Sequence, residues 1–208
     1  MVLAYLLAGE FEDPRLLWSA TQRWVVAMAA VILVFLSVLA HELSHSVMAL
    51  SKGIRVRGIT LFMFGGVSRF DQEFQRPITE FMVALVGPLI SIILAVIFGG
   101  VWFLMGGGDS PVEVVLALLA WTNLSLGVFN LIPGYPLDGG RLLRAGIWEL
   151  TGDHRKATRI ASLMGLLVGG SMIVGGVTLA VLMELINGVW LSIVGVFLFS
   201  MARSSFPR

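Results

Sequence analysis

The sequence predicts an all-α polytopic membrane protein with about five to six transmembrane helices. Of its 208 residues, 57% are hydrophobic and 13% are charged, and the mean hydropathy is +0.92. Soluble domains are closer to half apolar and a quarter charged, so this composition excludes an ordinary soluble domain. Four apolar stretches reach the roughly 20 residues that a helix needs to cross the hydrocarbon core. They lie at 24–50, 78–105, 112–132 and 160–186.

A fifth apolar stretch, at 189–201, is shorter, and the long side chain of Arg203 could extend it by reaching the interface. The run at 1–8 is too short to span. It has no basic region before it and no small-residue cleavage site, so we predict no signal peptide. Either residues 1–8 are part of an additional first helix, or the spans begin at 24–50. We expect residues 1–208 to form one membrane-embedded domain.

Basic residues mark alternate connections between the predicted spans. Most of the 14 Lys and Arg residues lie at 51–77, at 133–159 or after the last span, whereas 105–111 and 187–188 contain none. Cytoplasmic loops of membrane proteins are enriched in Lys and Arg. We therefore predict a multi-pass protein of the cell membrane, with both basic connections and the C-terminus in the cytosol.

Each basic connection contains a segment with its own predicted structure. The first includes the apolar segment ITLFMFGGVSRF, which Gly65 and Gly66 interrupt. Glycines between two runs of strand-forming residues favour a turn, so we predict a small β-hairpin or a re-entrant loop here. In the second, PGYPLDGG predicts a turn that is followed by a short helix over 141–150. The glycines at 165, 169, 170, 175 and 176 predict close packing of the helix that contains them.

Residues 41–45 read HELSH inside the first predicted span. His41 and His45 are four residues apart, so their imidazoles share one helix face, at the spacing that two ligands of one metal require. Glu42 lies beside them, where it could transfer protons in metal-dependent hydrolysis. Each ionisable side chain in a span costs about 2.5–3.5 kcal/mol on insertion scales. This cost favours a metal site over a simple hydrogen-bonded cluster or an interfacial position.

A catalytic zinc site has three protein ligands and an open fourth position. His154, the only other histidine, lies in a charged segment and is interpreted as solvated. Asp138 is the best acidic candidate, because it follows the cytosolic end of the third predicted span and so approaches the depth of HELSH. Gly139 and Gly140 would let the backbone come close to another helix. The alternative is that Asp138 caps the helix over 141–150.

Two asparagines in the third predicted span are further candidates. Asn130 lies eight residues before Asp138, and it could donate a hydrogen bond to the oxyanion of a tetrahedral intermediate. The alternative for Asn130 is a hydrogen bond between helices, which stabilises packing in membranes. For Asn123 we favour this structural role.

HELSH in an apolar helix, followed at 129–141 by FNLIPGYPLDGGR, resembles the site-2 protease family of intramembrane zinc metalloproteases. GGVSRF and EFMVALVGPLISIILA are also similar to segments of that family. The resemblance implies one zinc ion per chain, with His41, His45 and Asp138 as its ligands. It implies that Glu42 is the general base and acid, and that Asn130 holds the substrate carbonyl or its oxyanion.

The resemblance also implies that the loop with Gly65 and Gly66 pairs its edge with an unwound substrate strand. The expected reaction is hydrolysis of a peptide bond within or near a transmembrane segment, on the cytosolic side, as in regulated intramembrane proteolysis. The implied partners are a membrane-protein substrate and the lipid bilayer, with no nucleic acid. Members of the family usually have a further helix before the HExxH helix, and some carry C-terminal cystathionine-β-synthase-type domains; neither is complete within 1–208.

Two other classes of function are weighed against this one. A zinc transporter would need ligands near the bilayer midplane, with access from both sides. The polar residues of this sequence instead cluster towards one side. A non-catalytic membrane scaffold often lacks the glutamate or a metal ligand, and this sequence has all of them.

Overall fold

The computed structural model describes residues 18–62, 65–70 and 74–206. The described chain is mainly helical, with one small sheet. Its elements are α1 (Ala20–Ser51), β1 (Val56–Phe62), β2 (Gly65–Phe70), α2 (Pro77–Leu104), α3 (Pro111–Asn130), α4 (Asp138–Thr151), α5 (His154–Leu182) and α6 (Leu185–Ser204). Five of these helices, all except α4, are long and apolar enough to cross a membrane. The all-α polytopic class is therefore confirmed, while the run at 1–8 lies outside the described residues.

The last two predicted spans are divided differently in the structure. α5 begins at His154, because the Asp153 side chain accepts a hydrogen bond from the Lys156 amide at 2.9 Å and caps the helix. α5 ends at Leu182, and α6 begins at Leu185. The sequence predicts this break at 187–188, four residues later than the structure has it, because apolar residues continue on both sides of it.

The segment between α1 and α2 forms a β-hairpin, which was one of the two predicted alternatives. β1 and β2 are antiparallel, with Gly65 opposite Phe62 and Gly66 opposite Leu61. Both strands contact α1. Each strand of the two-stranded sheet keeps one edge that no other described strand pairs.

The helices surround an interior of small and polar residues. α2 is central, because it packs against α1, α3 and α4, and α5 then packs against α4 and α6. Most large apolar side chains are exposed, as expected of surfaces that face lipid. The buried polar side chains lie mainly on α1–α4: Ser37, His41, Glu42, His45, Ser46, Glu80, Ser91, Glu113, Asn123 and Asp138.

Glycines bring α5 and α6 into close contact, as their spacing in the sequence predicts. A Cβ at Gly169 would collide with the backbone of Gly195 and Phe199, and one at Gly176 would collide with Gly188 and Ser192. The glycines at 170 and 175 face open space instead. Only part of the glycine pattern therefore contributes to the interface.

Candidate metal centre

The HELSH segment lies on the buried face of α1. His41 is 2% exposed and His45 is 4% exposed, although both lie in a helix whose other faces are apolar. Their Nε2 atoms are 3.3 Å apart, and the rings meet edge to face. The spacing of four residues thus directs both imidazoles into one point of the interior, as the sequence predicts.

α2 fixes the orientation of both imidazole rings. His41 Nδ1 lies 2.9 Å from the Ser91 hydroxyl, and His45 Nδ1 lies 2.6 Å from the Val83 carbonyl oxygen. A carbonyl can only accept, so Nδ1 of His45 is the donor, and its Nε2 keeps a lone pair when the ring is neutral. Such outer contacts are typical of metal-binding histidines. Gly87 makes the approach possible, because a Cβ there would overlap both rings.

Asp138 completes the cluster from the opposite side. Its Oδ2 lies 3.2 Å from His41 Nε2 and 3.1 Å from His45 Nε2. It is the first residue of α4, whose cap position is occupied by Leu137. The alternative that Asp138 caps this helix is therefore wrong. Burial raises the pKa of Asp138, but its interactions with the two histidines and with Arg141 outweigh burial and lower the pKa below its ordinary value.

Two glycines place Asp138 at this position. A Cβ at Gly139 would overlap the carbonyl oxygens of Leu131 and Ile132, and one at Gly140 would overlap the backbone of the preceding turn. The close approach to another helix that these glycines were expected to allow is thus an approach to the C-terminal end of α3. They let α4 fold back tightly onto the end of α3 and the turn that follows it.

The geometry of the cluster fits one zinc ion. Zinc binds histidine nitrogen and carboxylate oxygen at about 2.0–2.1 Å with tetrahedral angles, so two of its ligand atoms are about 3.3 Å apart. The three separations between the donor atoms of His41, His45 and Asp138 are 3.3, 3.2 and 3.1 Å. Two imidazoles and one carboxylate also match the donor set of catalytic zinc sites. Within the part of the chain that the structure describes, these three residues form a group that could hold a metal ion.

The structure also locates the other predicted site residues. Glu42 is buried next to His41. Asn130 is the last residue of α3, and its Nδ2 donates to the Leu126 carbonyl of the same helix at 3.0 Å. Gly65 and Gly66 begin β2. The catalytic role of Glu42 and Asn130 and the binding role of the two glycines stay predictions.

Two further polar residues, Asn123 and His154, make packing contacts and do not belong to the metal group on the described chain. Asn123 is fully buried and donates to the Ser37 hydroxyl of α1 at 3.0 Å, which is the predicted contact between helices. His154 begins α5 and packs edge to face on Trp148, with the ring centroids 4.7 Å apart. His154 is partly exposed, and it is not among the residues of the metal group on the described chain, in agreement with its interpretation as a residue that does not bind the metal.

The contribution of α2 to the centre is not apparent from the sequence. Ser91 and the Val83 carbonyl orient the histidines, and Gly87 gives them room. A further signal is Glu80, an ionisable residue that is fully buried in α2 and accepts hydrogen bonds from Arg144 of α4. A charged residue that adjoins an apolar span requires a partner, and this requirement could have drawn attention to Glu80.

Comparison with known proteins places this geometry in a family. The model of peptidase family M50 matches residues 29–114 and 108–172. Rip3 of Mycobacterium tuberculosis is 38% identical over 193 residues, which are 92% of this chain and 49% of Rip3. The zinc metalloprotease MJ0392 of Methanocaldococcus jannaschii is 39% identical over 136 residues, 64% of this chain and 38% of that protein. The chain thus spans about half the length of Rip3, and less of MJ0392.

The fold agrees with the sequence comparison. The solved structure of a site-2 protease from Methanocaldococcus jannaschii superposes with a TM-score of 0.66 and 27% identity. The match covers 100% of this chain and 88% of that chain. With five helices that can cross a membrane, the protein is an integral multi-pass membrane protein. The chain belongs to peptidase family M50, and it is of the site-2 protease type.

Proposed function

We propose that the protein is an intramembrane zinc metalloprotease that cuts a membrane-protein substrate within or near a transmembrane segment. The observation that carries this proposal is the convergence of two imidazoles and one carboxylate at the edge lengths of a zinc tetrahedron. This cluster lies between helices that are long enough to cross a membrane. A substrate helix hides its amides in its own hydrogen bonds, so we expect it to unwind locally before it is cut.

The residues in and around the cluster would have three roles: metal binding, proton transfer and orientation of the imidazoles. His41, His45 and Asp138 would hold zinc, which when bound polarises the scissile carbonyl and makes water a better nucleophile. Glu42 would take a proton from the attacking water and deliver it to the leaving amine. Ser91 and the Val83 carbonyl would keep the imidazoles aimed during this cycle.

Asn130 is suited to hold the substrate carbonyl. Its carboxamide has two N–H donors, and one of them is used by the Leu126 carbonyl. The next residue, Leu131, contributes the carbonyl oxygen that lies against Gly139, directly beside Asp138. Asn130 and Asp138 are thus each adjacent in sequence to a residue of this backbone contact, and we assign the remaining N–H group of Asn130 to the substrate oxygen.

The β-hairpin is suited to hold an unwound substrate segment. The residues Gly65 and Gly66 of β2 pair with β1 on one side. Addition of an extended peptide to the other edge of the strand would satisfy the backbone groups that the peptide exposes when it unwinds. Glycines at this edge would leave space for the incoming backbone.

The basic residues favour a cytosolic position of the active site. α4, which begins with the ligand Asp138, contains Arg141 and Arg144, and the start of α5 contains Arg155, Lys156 and Arg159. By the positive-inside rule, this side of the protein faces the cytosol of a cell membrane. Water and the substrate segment would therefore reach the cluster from that side.

Cleavage of a tagged single-span substrate tests the proposal. We expect the wild-type protein to contain one zinc per chain and to cut the substrate. Glu42→Gln should retain zinc and lose cleavage, and Glu149→Gln, at an exposed position of α4, should behave as the wild type does. A wild-type protein that holds zinc, cuts no substrate of a panel and passes zinc into liposomes would be a transporter instead. A wild-type protein without zinc would contradict the ligand assignment.

A further inference from the structure

A buried ion pair joins the two helices that build the metal centre from opposite sides. Arg144 of α4 donates from Nε to Glu80 Oε1 of α2 at 2.8 Å, and Nη2 donates to the same oxygen. The Glu80 side chain is 0% exposed and the Arg144 side chain is 14% exposed. Removing two charges from water is costly, so a pair at this depth requires an explanation beyond simple packing.

Glu80 belongs to the face of α2 that contacts the histidines. The buried residues of this face recur at helical spacing and include Glu80, Val83, Gly87 and Ser91. Three of them touch the imidazoles, through a carbonyl, a missing side chain and a hydroxyl. The ion pair is therefore attached to the same rigid surface that sets the positions of both rings.

Arg144 is attached in turn to the segment that delivers Asp138. Its guanidinium lies 5.4 Å from the centre of the Tyr135 ring, in the turn before α4. The Tyr135 amide also donates to the Ala161 carbonyl of α5 at 3.1 Å. Asp138 begins the same helix that carries Arg144, about 9 Å away along its axis. The guanidinium thus links α2 to both the turn and the helix that position the third ligand.

We propose that Glu80 and Arg144 are positioning residues, which fix the distance of Asp138 from the two histidines. This inference rests on the proposed function, because it assigns the pair a role in the metal site. His41 and His45 are set by α1 and α2, whereas Asp138 comes from α4. The pair is an ion pair between α2 and α4, and Arg141 of α4 also interacts electrostatically with Glu80. We assign to the Glu80–Arg144 pair the bidentate contact that determines how these two sets of ligands meet. If the geometry of the Glu80–Arg144 pair is lost, the Asp138 carboxylate moves away from its position beside the Nε2 atoms of His41 and His45.

A merely structural pair would have different consequences. If the pair only held the helices together, an apolar replacement of similar size would restore the packing and with it the site. If the pair sets the register of α4 on α2, such a replacement keeps the fold and still impairs the site. Metal sites are sensitive in this respect, since changes to residues that orient the ligands typically cost 10–100-fold in metal affinity or activity.

Arg144→Lys is the first test, because it keeps the positive charge. Lys cannot present two donors from a planar fork to one oxygen, so the register of α4 is no longer fixed. We expect kcat for a tagged single-span substrate to fall about tenfold or more, with KM little changed. In the cobalt-loaded protein, the shape of the visible absorption bands should change as well. A fall in band height alone, with the shape kept, would indicate loss of folded protein and would overturn the proposal.

Two further variants complete the test. Arg155→Lys makes the same substitution at an exposed position, and it should leave kcat and the cobalt bands unchanged. The double variant Glu80→Leu/Arg144→Met removes both charges and should unfold at nearly the wild-type temperature, while its cobalt bands change and its kcat falls. A wild-type spectrum and kcat in Arg144→Lys or in the folded double variant would overturn the positioning role and leave the proposed protease intact. Failure of the wild type itself to bind metal would overturn both.

Discussion

The α1–α4 core and the α5–α6 pair are both made of apolar helices, but they are held together differently. In α1–α4 the interior contacts are directional: ring nitrogens meet a hydroxyl, a carbonyl and a carboxylate, and Glu80 meets Arg144. Between α5 and α6, glycines bring the two backbones into direct contact. Lipid is as apolar as a leucine side chain, so helices in a membrane need one of these two kinds of contact.

The two kinds of contact occur in regions with different roles: the metal group lies in α1–α4, and α5 and α6 mainly pack against each other. The polar interior of α1–α4 contains all three residues of the metal group, and no residue of α5 or α6 belongs to that group on the described chain. α5 still supports the centre indirectly, because a Cβ at Gly165 would overlap the Tyr135 carbonyl in the turn before Asp138. Substitutions in the two regions should therefore separate function from stability.

The largest effect is expected from Asp138→Ala. The change removes one of three ligand atoms and leaves a pair of buried imidazoles. We expect the zinc content of the purified protein to fall from one per chain to near zero, and cleavage of the single-span substrate to be lost. Zinc analysis and a cleavage assay on the same samples measure both. Retention of one zinc per chain by Asp138→Ala would show that Asp138 is not a ligand.

Gly87→Ala should impair the centre without any change of a ligand. The added Cβ overlaps the rings of His41 and His45, so α2 and α1 must separate or the rings must turn. We expect zinc affinity to fall by at least tenfold, within the range found for residues that orient metal ligands. Competition with a chelator measures this affinity. The matched control is Gly170→Ala, whose Cβ meets open space, and equal affinities in the two variants would contradict the prediction.

Gly176→Ala should show the opposite behaviour. Its Cβ collides with the backbone of Gly188 and with Ser192, so α5 and α6 must move apart. Overpacking of this kind typically costs about 1–3 kcal/mol of the free energy of unfolding. We expect a lower unfolding temperature in detergent, with the zinc content of the folded protein unchanged. Gly175→Ala is the control, because that position faces open space, and loss of zinc from folded Gly176→Ala would contradict the separation of the two regions.

The smallest effect is expected at the Asn123–Ser37 contact. This hydrogen bond lies in the α1–α4 core, and its acceptor is the hydroxyl of Ser37, one helical turn before His41. Hydrogen bonds between membrane helices contribute on average about 0.6 kcal/mol. Ser37→Ala should therefore lower the free energy of unfolding only slightly and leave cleavage intact. Unfolding and cleavage assays check this, and an inactive but stable variant would show that the contact takes part in the chemistry.

The same contrast explains how much the sequence could predict. HELSH was predictable because the spacing of His41 and His45 within one helix brings the rings together without knowledge of the fold. Asp138 was predictable as a candidate because the order of spans and basic loops placed it at a similar depth. The spans could be predicted from hydropathy, because the positions that face lipid along most of each helix must be apolar.

The contacts from α2 were beyond the reach of the sequence. Which carbonyl meets His45, and which hydroxyl meets His41, depends on the rotation and height of α2 relative to α1, and apolar composition does not fix either. The break between α5 and α6 was placed four residues too late for a related reason, because a helix can end within an apolar run when its neighbour turns back on it. The glycine pattern predicted close packing but could not distinguish Gly169 and Gly176 from Gly170 and Gly175.

X-ray absorption of the zinc-loaded wild-type protein tests the central claim most directly. If His41, His45 and Asp138 hold the ion, the spectrum should show nitrogen and oxygen neighbours at about 2.0–2.2 Å, with the outer-shell scattering of two imidazoles. In Asp138→Ala, any zinc that remains should lose the carboxylate contribution. A zinc site with only oxygen neighbours and no imidazole scattering would contradict the account.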